Sequence, residues 1–463
     1  GLGMFGAGTS WLYVALNTFG GMAAPLAAVG VAAFCLWLSL FPALAGYVAA
    51  RWTAPGTGLR LVAAAAMWPL LEWARSWPIA DFPWLSLGYA SVVPSGATPL
   101  AGYAPLGGVW LASLAIALAA AALARIAQTL VREAARAAMA PLAVLAALFA
   151  GGQLLSQVTW THDVGAPIAV SLVQGNVSQD TKFERSMRES TFALYTGLVH
   201  ASRGRVVVLP ESALPAFADE IPASVLRDLA SLAASRDGMV LTGLFTVEPP
   251  EPGQRALRYY NSVVSLGAFE PQLYRKRHLV PFGESIPLEP IVGWFIRDVL
   301  SIPLANQSRG DALQPAFAIA GQRIAVDICY EDVFGADIRA QVPTATILVN
   351  VTNDAWYGHS LAAEQHNQIA AMRALESGRP LLRATNTGIT SAIAADGRVI
   401  ARLPWFTREI LEVTVDGRTG ETPYVRLGDA VAIVCALVLA AGAIALSARR
   451  RTAVPGEARQ RAR

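Results

Sequence analysis

Three short stretches carry side chains able to do covalent chemistry. The run Val207-Val208-Leu209-Pro210-Glu211-Ser212 ends an apolar segment in a proline and a carboxylate. The run from Tyr274 to Glu284, with Lys276, Val280-Pro281-Phe282-Gly283 and Glu284, offers an ammonium and a second carboxylate. The run Val326-Asp327-Ile328-Cys329-Tyr330-Glu331-Asp332 delivers a thiol at the end of a β-like segment. Singly, each has an ordinary explanation: an exposed turn residue, one charge on a basic loop, a small buried hydrophobe. Together they supply a base, an oxyanion partner and a nucleophile, the set required to attack an acyl carbon through a covalent intermediate. The other two cysteines, Cys35 and Cys435, lie in apolar helical runs, and three cysteines make no disulfide framework.

The elements that must position these groups form a soluble α/β domain over residues 165–425. Strand-like runs rich in Val and Ile lie at Ile168–Val173, Arg205–Leu209, Met239–Phe245, Ser262–Leu266, Arg323–Ile328 and Thr346–Val351. Helical patterns fall between them at Glu184–Ala201, Pro222–Arg236 and Ala362–Glu376. Such alternation predicts layered α/β packing with sheets buried on both faces, and strand ends are where rigid elements hand reactive groups to a cleft. There is no HExxH, no paired-cysteine motif and no Gly-rich phosphate loop, so no metal and no cofactor is expected.

The rest of the chain belongs to another solvent. The sequence is 54% hydrophobic and only 15% charged, against roughly 25% charged in a soluble domain. The depletion falls on residues 1–157 and 429–448. Apolar segments at 1–17, 25–50, 59–77, 106–127, 138–157 and 429–448 approach or reach the about 20 residues that span a bilayer. Glu72 and Arg75, near the end of the third, are placed to reach headgroups or a polar cavity. Arg51 and Arg60, Arg125, Arg132 and Arg136, and Arg449, Arg450 and Arg451 flank these segments. By the positive-inside rule all three places are cytoplasmic, which puts 158–428 outside and makes 449–463 a basic cytoplasmic tail. The net charge of +3, with no basic stripe interleaved with aromatics, argues against a nucleic-acid partner. The loop 78–105, with Phe82, Pro83, Trp84, Tyr89 and Tyr103, reads as an aromatic interface belt or a lipid-facing entrance to the soluble domain.

The order Glu, Lys, Cys, with the cysteine in a strand-Cys-Tyr-Glu context, resembles the nitrilase superfamily. The resemblance tightens with Tyr274-x-Lys276-x-x-Leu279-Val280-Pro281-Phe282-Gly283-Glu284 and Ile328-Cys329-Tyr330-Glu331. It extends through Asn353-Asp354-Ala355-Trp356-Tyr357-Gly358, the run Arg379 to Ile389, Ser10-Trp11-Leu12-Tyr13 and Phe82-Pro83-Trp84-Leu85. This combination is similar to the apolipoprotein N-acyltransferase family over nearly the whole chain.

The resemblance implies an αββα sandwich joined to a bundle of transmembrane helices, in the bacterial inner membrane with the catalytic domain periplasmic. It implies transfer of an acyl chain from a phospholipid to the α-amine of a diacylglyceryl-cysteine on an apolipoprotein, the last step of lipoprotein maturation. Cys329 would be the nucleophile, Glu211 the general base and Lys276 the oxyanion donor with the Tyr330 N–H, while Glu284 and Glu331 would hold Lys276 and Glu211 in place. Phe183 stands where the family has a tryptophan, and with Trp356, Phe82 and Trp84 is expected to touch substrate. The partners would be phospholipid, diacylglyceryl-apolipoprotein and bilayer, and the protein a monomer. The family has eight membrane helices, so with six visible the first two are expected to be missing here. A membrane-tethered amidohydrolase using the same three residues is the alternative.

Overall fold

The computed structural model describes residues 1–78, 80–132, 135–250, 257–285 and 307–452. The chain divides into two compact units. One comprises Gly1–Gly8, Ala32–Thr159 and the chain from Thr422 onward; the other comprises Thr9–Val31 and Trp160–Glu421.

Among the described residues, four helices are long and apolar enough to cross a membrane: Ala24–Trp52, whose first eight residues count with the second unit, and Pro99–Val131, Arg136–Leu155 and Ala430–Arg450 of the first. The helix Gly58–Ala74 has 17 residues, with Trp68 Nε1 donating to Glu72 at 2.8 Å inside its last turns. Glu72 and Arg75 are buried in protein and grip the loop that follows. Glu72 accepts from the Leu87 N–H at 2.7 Å, and Arg75 Nη1 donates to the carbonyls of Phe82 and Trp84 at 3.3 and 3.0 Å. Irregular backbone among apolar helices must find such partners, because hydrocarbon offers none. Phe82 and Trp84 accordingly lie inside this unit, stacked 6.3 Å apart, and do not form a surface belt. Of the basic tail read at 449–463, residues 453–463 lie outside the described residues.

The stretch 1–17, read above as one apolar segment, folds differently. It forms helices Leu2–Gly8 and Trp11–Val14 and a π-helical turn Ala15–Phe19. Gly6, Gly8, Thr9 and Ser10 are poor helix formers, and hydroxyl side chains compete for backbone partners. From Thr9 the segment belongs to the second unit, where Trp11 meets Tyr357 edge-on at 4.5 Å and donates from Nε1 to Gln365 Oε1 at 3.0 Å.

The second unit holds two six-stranded sheets. Its strands are β1 His162–Gln174, β2 Val206–Val208, β3 Met239–Glu248, β4 Arg258–Gly267, β5 Leu273–Arg275, β6 Phe317–Ile319, β7 Gln322–Ile328, β8 Ile347–Thr352, β9 Leu381–Thr385, β10 Ser391–Ile393, β11 Val399–Arg402 and β12 Glu409–Thr419. One sheet runs β12-β1-β2-β3-β4-β5, with β1, β2 and β3 parallel; the other runs β11-β10-β9-β8-β7-β6, with β7, β8 and β9 parallel. Alternation along each strand builds the layers. Val206 and Val208 meet Ile324, Val326, Ile347 and Val349 between the sheets. Val207, one residue out of phase, faces Phe192, Tyr195 and Leu229 of the helices α1 Arg188–Ala201 and α2 Ala223–Ala234. Further helices, α3 Gly335–Gln341 and α4 Ala362–Ser377, complete the αββα sandwich, α4 packing on β9 and β10. Each fully buried Val or Ile contributes about 1.5–3 kcal/mol, so this central layer is the main source of stability.

Candidate active site

Glu211 and Cys329 hang from the carboxyl ends of parallel strands, where open α/β sheets present their ligands. β2 leads through Leu209 and Pro210 to Glu211. β7 ends at Ile328 and passes straight into Cys329, which opens a 3-10 turn, Cys329–Val333. Lys276 follows β5 and is kept in line by its N–H donating to the Asn261 carbonyl at 2.8 Å. The Glu211 loop lies against β3 because Gly243 has no side chain: a Cβ there would meet Ser212 N at 2.4 Å and Pro210 O at 2.7 Å.

The charged groups touch. Lys276 Nζ lies 3.3 Å from Glu211 Oε1 and 2.8 Å from Glu284 Oε1. Asn261 Nδ2 donates to Glu211 Oε1 at 2.7 Å, and Glu284 Oε2 accepts from the Val280 N–H at 2.9 Å. Glu331 acts one step further back. It accepts from the Tyr274 hydroxyl at 3.0 Å and from the N–H groups of Arg277, His278 and Ile328 at 2.8, 3.1 and 2.7 Å. One carboxylate thereby ties the segment carrying Lys276 to the strand end carrying Cys329. Glu284 bonds Lys276 directly; Glu331 steadies the backbone that follows it and the Tyr274 side chain before it.

Burial would lower the Lys276 ammonium, but the carboxylates of Glu211 and Glu284 more than offset this and hold it well above the ordinary lysine range. The Cys329 thiol is pushed well above its usual range by burial and by the nearby Glu211, with Lys276 pulling the other way. At neutral pH the resting sulfur is therefore a thiol, and a base must take its proton before attack. Lys276 is charged throughout, which suits a fixed positive donor for an oxyanion.

The remaining residues expected at the site divide between the units. Phe183 packs on Phe245 at 6.4 Å, and Trp356 meets Phe19 edge-on at 6.3 Å, all in the catalytic unit. Phe82 and Trp84 belong to the other unit.

Several groups had no role assigned to them from the sequence. Lys182 is fully buried and donates to the Glu211 carbonyl at 2.9 Å; burial pulls it down to about 8, with Glu211 and the Cys329 sulfur opposing. It lies in a loop without periodicity, and only its place shortly after Gln174-Gly175-Asn176 marks it. Asn386 pins that loop, its Oδ1 accepting from the Val177 N–H at 2.9 Å and its Nδ2 donating to the Val177 carbonyl at 2.8 Å. Tyr357 lies close enough to Cys329 and Glu211 for both to raise its phenol, on top of burial.

Known proteins match both parts of the chain. Residues 150–424 match the carbon-nitrogen hydrolase family, and residues 1–122 match the apolipoprotein N-acyltransferase N-terminal domain. An apolipoprotein N-acyltransferase of Nitrosomonas europaea is 44% identical over 460 residues, which cover 98% of this chain and 88% of that one. The chain belongs to the apolipoprotein N-acyltransferase family. An apolipoprotein N-acyltransferase of Bordetella bronchiseptica is 42% identical, covering 95% of this chain and 85% of its own. Among solved structures, an amidase of the nitrilase superfamily from Nesterenkonia aligns over 59% of this chain and 97% of that one at 14% identity, with a TM-score of 0.39. As a member of the apolipoprotein N-acyltransferase family, the chain is an acyltransferase enzyme with a nitrilase-type catalytic unit, carried on a chain with several helices apolar enough to cross a membrane.

Proposed function

We propose that the protein transfers an acyl chain from a phospholipid to the α-amine of the diacylglyceryl-cysteine that begins an apolipoprotein, by way of a thioester on Cys329. The observation that carries this reading is the ion pair of Lys276 with Glu211 and Glu284, set within electrostatic reach of a buried cysteine at a strand end. Glu211 takes the thiol proton as sulfur attacks the ester carbonyl. The negative oxygen of the tetrahedral intermediate is met by Lys276 and the N–H of Tyr330. Collapse breaks the C–O bond, and Glu211 returns the proton to the departing glycerol oxygen. The acceptor amine then attacks the thioester; its proton passes to Glu211, and the C–S bond breaks as the thiol re-forms. The two half-reactions make a ping-pong cycle. No cofactor enters, and every named group comes from one chain, which suits a monomer. Phe183 and Trp356 contact the lipid substrates.

The arginines at 51 and 60, at 125–136 and at 449–451 support an orientation, by the positive-inside rule, with those ends in the cytoplasm, residues 158–428 in the periplasm and the chain in the inner membrane. This orientation suits an acceptor already exported and a donor drawn from the outer leaflet. The test is mass spectrometry of the full chain after incubation with phosphatidylethanolamine. An acyl adduct on Cys329 that is discharged by a diacylglyceryl peptide, and is absent from Cys329→Ala, is the expected result. Free fatty acid released at the same rate with and without the peptide would instead indicate a hydrolase.

A further inference from the structure

Cys329 has a φ of 55°, in the left-handed region. A non-glycine residue there costs on the order of 1–3 kcal/mol and persists only where its surroundings enforce it. The enforcement is visible at its carbonyl. Asn350 Nδ2, from β8, donates to Cys329 O at 3.1 Å, and His366 Nε2, from α4, lies 3.3 Å from the same oxygen. His366 is itself held at both ring nitrogens: Nε2 is 2.9 Å from Asp332 Oδ1 and Nδ1 is 2.8 Å from Asp354 Oδ1. Arg383, on β9, bridges the other oxygens of the same two aspartates at 3.1 and 3.0 Å and donates to Asn350 Oδ1 at 3.0 Å. Asn350 also donates to Asp327. Each of these six side chains belongs to a residue no more than 3% exposed. Burial and Arg383 oppose a charge on His366, but Asp332 and Asp354 prevail and push it up to about 9, so both ring nitrogens carry protons at neutral pH.

A trans peptide sends the carbonyl of one residue and the N–H of the next in opposite directions, and no cis peptide occurs in the described chain. Holding the Cys329 carbonyl toward His366 and Asn350 therefore points the Tyr330 N–H away from them. A flipped peptide would press that N–H against two donors. We infer that His366, with Asn350, is a positioning residue that aims the Tyr330 N–H at the oxyanion by fixing the Cys329 carbonyl. This rests on the proposed thioester route, in which that N–H meets the tetrahedral oxygen.

Two substitutions separate the ring nitrogens, since a glutamine amide can reach the place of Nε2 and an asparagine amide that of Nδ1. In the full chain, His366→Gln is expected to form the Cys329 acyl adduct from phosphatidylethanolamine within about threefold of the wild-type rate, and His366→Asn about 10²-fold more slowly, the scale of one lost oxyanion donor. Alkylation of Cys329 by iodoacetamide builds no oxyanion and is expected to stay within about twofold in both. If His366→Asn does not survive purification, Asn350→Ala removes the other donor and is expected to show the same divergence between acylation and alkylation. A parallel loss of acylation and alkylation would make the network merely structural and overturn the inference. An unchanged acylation rate in His366→Asn would overturn it as well. A wild-type chain that takes no acyl adduct at all would overturn the thioester route and the inference with it.

Discussion

At the scale of single residues, the catalytic unit sets a cation that never titrates in the working range beside a thiol that resists ionisation. Glu211→Gln and Lys276→Ala are expected to lower kcat for acyl transfer by about 10²–10³-fold with little change in KM, because in the proposed mechanism both act on charge that develops only in the transition state. A raised KM at unchanged kcat would remove them from those roles. The thiol has its own signature. Burial and Glu211 raise its pKa, and Lys276 only partly compensates. Alkylation of resting Cys329 by iodoacetamide should therefore be slow at pH 7 and keep climbing past pH 9, and a plateau near neutrality would reveal a preformed thiolate. Glu211 and Cys329 stood out in the sequence because each follows a short apolar run that reads as a strand, and Lys276 because it sits in the Tyr274–Glu284 stretch with a second carboxylate. The grip on the Cys329 carbonyl could not. Asp332, Asn350, Asp354, His366 and Arg383 are spread over 52 positions with no period, and they meet only once β7, β8, β9 and α4 are packed. Lys182 was hidden for the same reason, its burial being a product of the loop's path.

At the scale of elements, the strands rich in Val and Ile were legible, and the short or charged ones were not. β12 pairs with β1 from Glu409↔Gln174 to Thr419↔His162. Its alternation of Leu411, Val413 and Val415 with Glu412, Thr414 and Asp416 is a period-two strand signal, weaker to the eye than an unbroken Val and Ile run because one face is polar. β9 is concealed by Arg383, a buried charge that makes sense only with two aspartates beside it. The close approach at Gly243 gives an element-scale test. Gly243→Ala forces a methyl against backbone atoms of Pro210 and Ser212 that have no room to yield. The expected loss is about 1–3 kcal/mol, seen as a lower Tm of the detergent-solubilised chain, together with reduced transfer because the displaced loop carries Glu211. Gly197→Ala, in mid-helix with nothing within 4 Å, should instead raise stability by about 0.5–1 kcal/mol. A Gly243 variant with unchanged Tm and activity would show that the strand and loop can part freely.

At the scale of the whole molecule, the arginine pattern predicts a direction that can be checked without enzymology. With Cys35, Cys329 and Cys435 replaced by alanine, a membrane-impermeant thiol reagent applied to intact spheroplasts should label Ser224→Cys, an exposed position in the catalytic unit. It should miss Ala127→Cys, beside the arginines at 125–136, until the membrane is broken. The reverse pattern would invert the topology and withdraw the proposed substrates. The docking of Trp11 also bears on the order in which the protein is made. Its indole bonds a glutamine 354 residues later in the chain, and its ring partner Tyr357 is almost as distant. At roughly 5–20 residues per second, a ribosome needs about 20–70 s to supply those partners. Through that interval Trp11 lacks both of these partners, so the segment around it is held only by its near neighbours in sequence, such as the Asn17 bond to the Met22 carbonyl, and is expected to be open to insertion factors or proteases. A catalytic unit started at residue 160 would escape the wait, and would leave Tyr357 and Gln365 without the tryptophan that covers them.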